Sequence, residues 1–112
     1  MPRFSRWDVV TVPFPYAEGD GSKHRPAVVV SASELADRHG LYWLVMITSA
    51  GQGQWRDDIA IDDPKTIGLG VTCVIRPCKI ATAEEDRIAR KIGTLPTRLR
   101  NALQAVLKRY CP

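Results

Sequence analysis

The apolar residues of this chain come in short runs, and each run is cut off by a turn signal. The longest, Leu41-Tyr42-Trp43-Leu44-Val45-Met46-Ile47, is far below the roughly 20 residues that a membrane-spanning helix needs. It is, however, a good length for a strand. Trp7 to Phe14 is rich in β-branched and aromatic residues in rough alternation and predicts a first strand, which Pro13 and Pro15 end. Arg25 to Ser31 predicts a second, with Ala27-Val28-Val29-Val30 apolar throughout, as expected of a strand covered on both faces. Between them, Tyr16 to His24 predicts a loop whose backbone freedom comes from Gly19 and Gly21. Antiparallel pairing across that loop is the simplest connection.

Further along, Ser33 to Gly40 predicts one or two helical turns, capped by Ser31 or Ser33 and stopped at Gly40. Tyr42 to Thr48 predicts a strong strand, and Ser49 to Trp55 a polar loop. Asp58 to Ile61 and Val71 to Arg76 predict two more strands, the second continuing at Lys79 to Thr82 after Pro77. Glu84 to Gly93 fits either a helix or a final strand. Leu99, Leu103, Val106, Leu107 and Tyr110 then form an apolar stripe of helical period, with Pro96 near the helix start. Short strands with turn signals every 8 to 12 residues or so predict a mainly β fold, a small SH3-like antiparallel β-barrel with a C-terminal amphipathic helix. At 112 residues one domain, residues 1–112, is expected.

Composition narrows the class. Hydrophobic residues make up 45% and charged residues 25%, the balance of a soluble globule rather than a disordered chain. The N-terminus lacks the apolar core of a secretory signal, which predicts a cytoplasmic protein. Cys73, Cys78 and Cys111 are an odd count, so reduced thiols are expected rather than a disulfide framework. Cys73-x4-Cys78 is not a zinc spacing, and the only histidines are His24 and His39. No metal and no cofactor is expected. The net charge of +4 is unevenly placed: residues 1–86 carry nine basic and twelve acidic side chains, residues 87–112 seven basic and none acidic. That tail points either to an anionic partner or to a solvated helix face. Arg98 and Arg100 oppose the helix dipole in the first turn, which suggests that something else there wants positive charge.

No P-loop, nucleophile elbow or metalloprotease motif is present. Polar residues gather where strands meet loops, at Ser22-Lys23-His24-Arg25-Pro26 and Thr48-Ser49-Ala50-Gly51-Gln52, the kind of junction where binding groups concentrate. Arg25 is restricted to extended conformations by Pro26. It offers a phosphate or carboxylate a rigid fork of donors, or else pairs with Asp57, Asp58 or Asp62 to tie the loop down. Trp55, in a Gly/Gln-rich loop, either stacks on an unpaired base or lies in the core under the loop.

Gly21-Ser22-Lys23-His24-Arg25-Pro26-Ala27-Val28-Val29-Val30-Ser31, after Trp7-Asp8-Val9-Val10-Thr11-Val12-Pro13-Phe14-Pro15, resembles the opening of the MazF/PemK toxins. These are ribosome-independent mRNA endoribonucleases of type II toxin–antitoxin systems. Val45-Met46-Ile47-Thr48-Ser49 resembles the family's second motif, and Lys91-Ile92-Gly93-Thr94-Leu95 the segment before its last helix. The resemblance spans roughly residues 6–110. It implies a barrel of the MazF/CcdB type and metal-independent cleavage of single-stranded RNA, leaving 2′,3′-cyclic phosphate and 5′-hydroxyl ends. Arg25 and Thr48 are the implied catalytic pair. Ser22, Lys23, His24, Ser49, Gln52, Trp55 and Lys79 are the expected RNA contacts. The implied partners are a second copy of the chain and a MazE/PemI-like antitoxin with an acidic C-terminal tail. The same barrel also serves CcdB-like gyrase-binding toxins and inactive RNA-binding relatives; the pairing of Arg25 with Thr48 argues against both. Three departures stand out. Trp7 replaces the family's glycine, a change expected at the surface. Cys78 stands where an acidic residue is common, and Pro96-Thr97 replaces Ser-Pro.

Overall fold

The computed structural model describes residues 3–13, 24–51 and 53–112. The elements are β1 (Asp8–Pro13), β2 (His24–Val29), α1 (Ser33–His39), β3 (Leu41–Ser49), β4 (Ile59–Ala60), β5 (Cys73–Glu84), β6 (Arg90–Thr94) and α2 (Thr97–Tyr110). Single 3-10 turns at Pro64–Ile67 and Glu85–Arg87 link them. The strands form one antiparallel sheet in the order β4-β5-β3-β2-β1-β6, with β1 and β2 paired as their sequence suggests.

The unbroken apolar runs follow from burial on both faces. Successive residues of a strand point to opposite sides, and here each side has its own core. Val9, Val28, Val45, Ile47 and Ile75 face one cluster, which Leu95 and the α2 residues Leu99 and Leu103 close over. Val10, Val12, Ala27, Val29, Leu44 and Met46 face the other, with Phe4, Tyr42 and Ile88. The Tyr42 hydroxyl donates to Glu85 at 2.6 Å and accepts the Phe4 N–H at 3.3 Å, so the N-terminal segment is fastened to that second core. Burial raises the Tyr42 hydroxyl pKa, and the bond to it lowers that of Glu85.

The half-barrel is closed by packing rather than by a ladder. After β4 the 3-10 turn Pro64–Ile67 lies against β6 so tightly that two glycines are required. A Cβ on Gly93 would sit 2.7 Å from the Ile67 carbonyl oxygen, and one on Gly68, at φ 80°, would overlap the Ile92 carbonyl. Both contacts are with backbone, which cannot swing aside.

Several local expectations change. The strand expected over Val71 to Arg76, with its continuation at Lys79 to Thr82, begins at Cys73 and runs on to Glu84. Met46 pairs with Arg76 and Val45 with Ile80, so residues 77–79 bulge out of β5, where Pro77 has no N–H to offer the ladder. The ambiguous Glu84 to Gly93 divides into a 3-10 turn and β6. Helix α1 ends at Gly40 in the left-handed conformation, but Ala32 is its N-cap and no side chain caps it. Ser31 instead accepts the Trp43 N–H, at 3.1 Å. Tyr110 leaves the apolar stripe of α2: it is 60% exposed and its hydroxyl donates to Asp57.

Trp7 is not a simple surface change. It is half-buried against the first core, holds a φ of 78°, and its backbone bonds Val29 and Leu95. This is a left-handed position that glycine would occupy without strain. The charge in the first turn of α2 also finds its reason: Arg98 pairs with Asp62, and the Arg100 Nε donates to the Leu95 carbonyl. Lys91 and Arg109 likewise pair with Asp8 and Asp57, so part of the basic tail is matched to the acidic body. Among the described residues no helix is long and apolar enough to cross a membrane.

Candidate functional site

Strand register assembles the site. Val12 pairs with Arg25 across β1–β2, and Ala27 with Met46 across β2–β3. Two residues further in that register Arg25 comes opposite Thr48, and His24 opposite Ser49. Alternation puts Arg25 and Thr48 on one face, that of Ala27 and Met46. The β2–β3 ladder stops at Ala27, one residue short of Pro26, which has no N–H to donate. A pocket of about 320 Å³ opens there, lined by His24, Arg25, Thr48 and Ser49 on its polar side and by Leu69, Val71 and Cys73 on its apolar side.

The residues at this junction carry a guanidinium, two hydroxyls and an imidazole, with His24 and Ser49 on the face of the first core, as Leu69 and Cys73 are, and Arg25 and Thr48 on the face of the second. A guanidinium stays charged at any ordinary pH and directs several donors at an oxyanion. Asp57, Asp58 and Asp62, the carboxylates considered as anchors for Arg25, are engaged by Arg109, Arg76 and Arg98. Cys73 is no nucleophile: burial raises its thiol pKa, and its Sγ lies 3.2 Å from the Val71 carbonyl as donor. Among the described residues no cluster of His, Cys, Asp or Glu has the makings of a metal site.

Of the residues singled out in the sequence, the pocket gathers Arg25, Thr48, His24 and Ser49. Ser22, Lys23 and Gln52 lie outside the described residues. Lys79 is exposed in the β5 bulge and does not line this pocket. Trp55 is 46% exposed and therefore not a core aromatic; it walls an adjoining cleft of about 270 Å³ with Ala50, Gly53, Ala60 and Val74. Val74 pairs with Thr48 across β3–β5, so the cleft and the pocket share that strand pair.

Beside them is a group that the sequence motifs do not reveal. Arg76 is buried, its Nε and Nη2 donating to the two Asp58 carboxylate oxygens at 3.1 and 2.9 Å, and its Nη2 also to the Gly53 carbonyl at 3.1 Å. The guanidinium carbon lies 4.5 Å from the centre of the Trp55 ring. Arg76 holds the Asp58 carboxyl below the usual carboxylate range. A signal was present, since an arginine inside the apolar run Cys73-Val74-Ile75-Arg76 must find a partner if it is buried.

Comparison with known proteins agrees with the fold. Residues 5–111 match the model of the PemK-like, MazF-like toxins of type II toxin–antitoxin systems. A comparison with curated proteins finds no match. Among solved structures, the fold is similar to that of a mycobacterial endoribonuclease in complex with its cognate antitoxin, at 17% identity over 97% of this chain and 93% of that one, with a TM-score of 0.72. A MazE–MazF structure from Deinococcus radiodurans is similar at 18% identity, over 96% of this chain and 93% of that one, with a TM-score of 0.73. The Mycobacterium tuberculosis toxin MazF-mt6 is similar at 16% identity, over 91% and 93%, with a TM-score of 0.71. With its sheet of six strands, its terminal helix and a family match over nearly its whole length, the chain belongs to the PemK-like, MazF-like toxin family of type II toxin–antitoxin systems.

Proposed function

We propose that this chain is an endoribonuclease that cuts single-stranded RNA between Arg25 and Thr48. The observation that supports this is that Arg25 of β2 and Thr48 of β3 both line one pocket. The substrate supplies its own nucleophile. The ribose 2′-oxygen attacks the adjacent phosphorus as its proton leaves, the bond from phosphorus to the 5′-oxygen breaks, and that oxygen takes up a proton. The products are a 2′,3′-cyclic phosphate and a 5′-hydroxyl.

The protein must stabilise the extra charge of the pentacoordinate phosphorane and steer the protons. Arg25 does the first, with its fork of donors against the phosphate oxygens. A guanidinium is a poor base because it holds its proton at any ordinary pH. Thr48 hydrogen-bonds a phosphate oxygen or relays a proton, with Ser49 beside it. Ser22, Lys23, His24, Ser49, Gln52 and Lys79 contact the RNA strand on either side. No step requires a metal ion. The partner is an antitoxin, as in the mycobacterial and Deinococcus complexes, whose acidic tail folds over the groove; the active form is a homodimer in the cytoplasm.

The test is purified protein with a long single-stranded RNA in excess EDTA, beside Arg25→Ala. Cleavage that survives EDTA and disappears in the variant supports the proposal. RNA left intact by folded wild-type protein across several sequences refutes it.

A further inference from the structure

We propose that Trp55, braced from behind by Arg76, is a stacking platform for one unpaired base of the bound strand, and that Arg76 is a positioning residue for it. This rests on the endoribonuclease reading above and extends it to how the site holds a base.

Three observations point to a built platform. First, the indole is 46% exposed while its surroundings are fixed. The Asp58 carboxylate accepts the Trp55 backbone N–H at 3.0 Å, and the Asp58 backbone N–H donates to the Trp55 carbonyl at 3.2 Å. Arg76, gripped by the same carboxylate, lies against one face of the ring. The neighbouring Asp57, at φ 76°, is held by the Tyr110 hydroxyl at 2.6 Å and by Arg109 at 3.4 Å. The loop is thus tied to the sheet by Arg76 and to the end of α2 by Asp57, so a ligand meets a ring already oriented and little entropy is lost on binding.

Second, the platform is in the right place. Arg76 pairs with Met46 and Val74 with Thr48, so this side of β5 adjoins the strand that carries Thr48. Third, the cleft suits a flat, neutral ligand. Its other walls are Ala50, Gly53, Ala60 and Val74 with the uncharged Gln54, and its carboxylates are Asp57 and Asp58. Among the described residues the lining holds no cation, and the cations that pair with those carboxylates, Arg109 and Arg76, are already engaged by them. An acidic peptide finds no charge to gain here, whereas a base finds an aromatic face on which any of the four can stack.

The experiment reads binding and cleavage separately. The binding probe is a fluorescein-labelled random-sequence RNA decamer with 2′-O-methyl riboses throughout, which lack the nucleophile. Its dissociation constant is measured by anisotropy for wild type, Trp55→Ala, Trp55→Phe and Arg76→Lys. We expect Trp55→Ala to weaken binding about tenfold, and Trp55→Phe, which keeps a ring, by less than threefold. Arg76→Lys keeps the charge but loses the planar fork; it should weaken binding several-fold while circular dichroism stays that of the wild type. In cleavage assays Trp55→Ala should raise KM by the same factor as it raises the dissociation constant, with kcat changed less than threefold. Equal binding by wild type and Trp55→Ala, or no binding of the decamer by wild type, overturns the platform. So does a Trp55→Ala loss confined to kcat, or a loss of affinity for an acidic peptide with RNA affinity intact. If the decamer binds through Trp55 but RNA is never cut, the endoribonuclease reading falls and the platform stands. If RNA is cut through Arg25 and Trp55→Ala is indifferent, the reverse holds.

Discussion

Replacing Arg76 by methionine keeps most of the apolar stem and removes the charge. In the wild type the guanidinium and the Asp58 carboxylate are both nearly out of solvent, with side-chain exposures of 6% and 9% and two contacts between them at 2.9 and 3.1 Å. Removing one member of such a pair leaves the other charge buried without compensation, a loss of about 3–5 kcal/mol. The Gly53 carbonyl loses its donor as well. Against the 5–15 kcal/mol that typically holds a domain folded, that is a large share. At roughly 4 °C per kcal/mol for a chain of this size, the melting temperature should fall by about 12–20 °C. Arg76→Met combined with Asp58→Asn should recover at least half of the loss, because Asn removes the stranded charge and still accepts the Trp55 N–H. The pH dependence gives a second reading. Because Arg76 holds the Asp58 pKa below its unfolded value, the pair stabilises the fold at pH above about 4 and loses that contribution as pH falls through the lowered folded value. The deficit of Arg76→Met should therefore narrow from pH 7 towards about pH 3. Urea unfolding at the two pH values measures it. A deficit under about 1 kcal/mol at neutral pH, or one that does not change with acid, would refute the argument.

Two further pairs of substitutions test how the barrel closes and how it begins. Gly93→Ala forces a Cβ against the Ile67 backbone and should cost about 1–3 kcal/mol, whereas Gly51→Ala, which meets nothing within 4 Å, should stay within about 0.5 kcal/mol; equal urea midpoints for the two would contradict the packing. At Trp7 the left-handed φ should make Trp7→Gly more stable than Trp7→Ala by about 1 kcal/mol, the reverse of the usual order, and thermal melts that rank Ala at or above Gly would remove the strain from the account.

Much of this was legible because burial on both faces leaves a plain mark in sequence. Ala27-Val28-Val29 and the run Leu41 to Ile47 could scarcely be anything but central strands, and the stripe through Leu99 and Leu103 had to lie on a core. Arg25 and Thr48 stood out because each ends such a strand at a polar junction. What escaped depends on partners far along the chain. The grip of Arg76 on Asp58 spans 18 residues and exists only once the bulge at Pro77 has set the register of β5. Trp7 looked superficial because nothing in its chemistry announces a left-handed backbone, and Tyr110 fitted the helical period while its hydroxyl was drawn out to Asp57. Period and propensity report which face a residue takes, not which distant group it meets.

The central claim is that Arg25 and Thr48 act together on one phosphate, and single-turnover cleavage of a saturating single-stranded RNA tests it most directly. Arg25→Ala should slow the rate constant by about 100-fold to 1,000-fold, the usual loss when one transition-state donor is removed. Thr48→Val should slow it clearly, and the double variant should fall short of the product of the two single losses, because the groups share a substrate oxygen. Rate constants for the folded single variants within threefold of wild type would contradict the account.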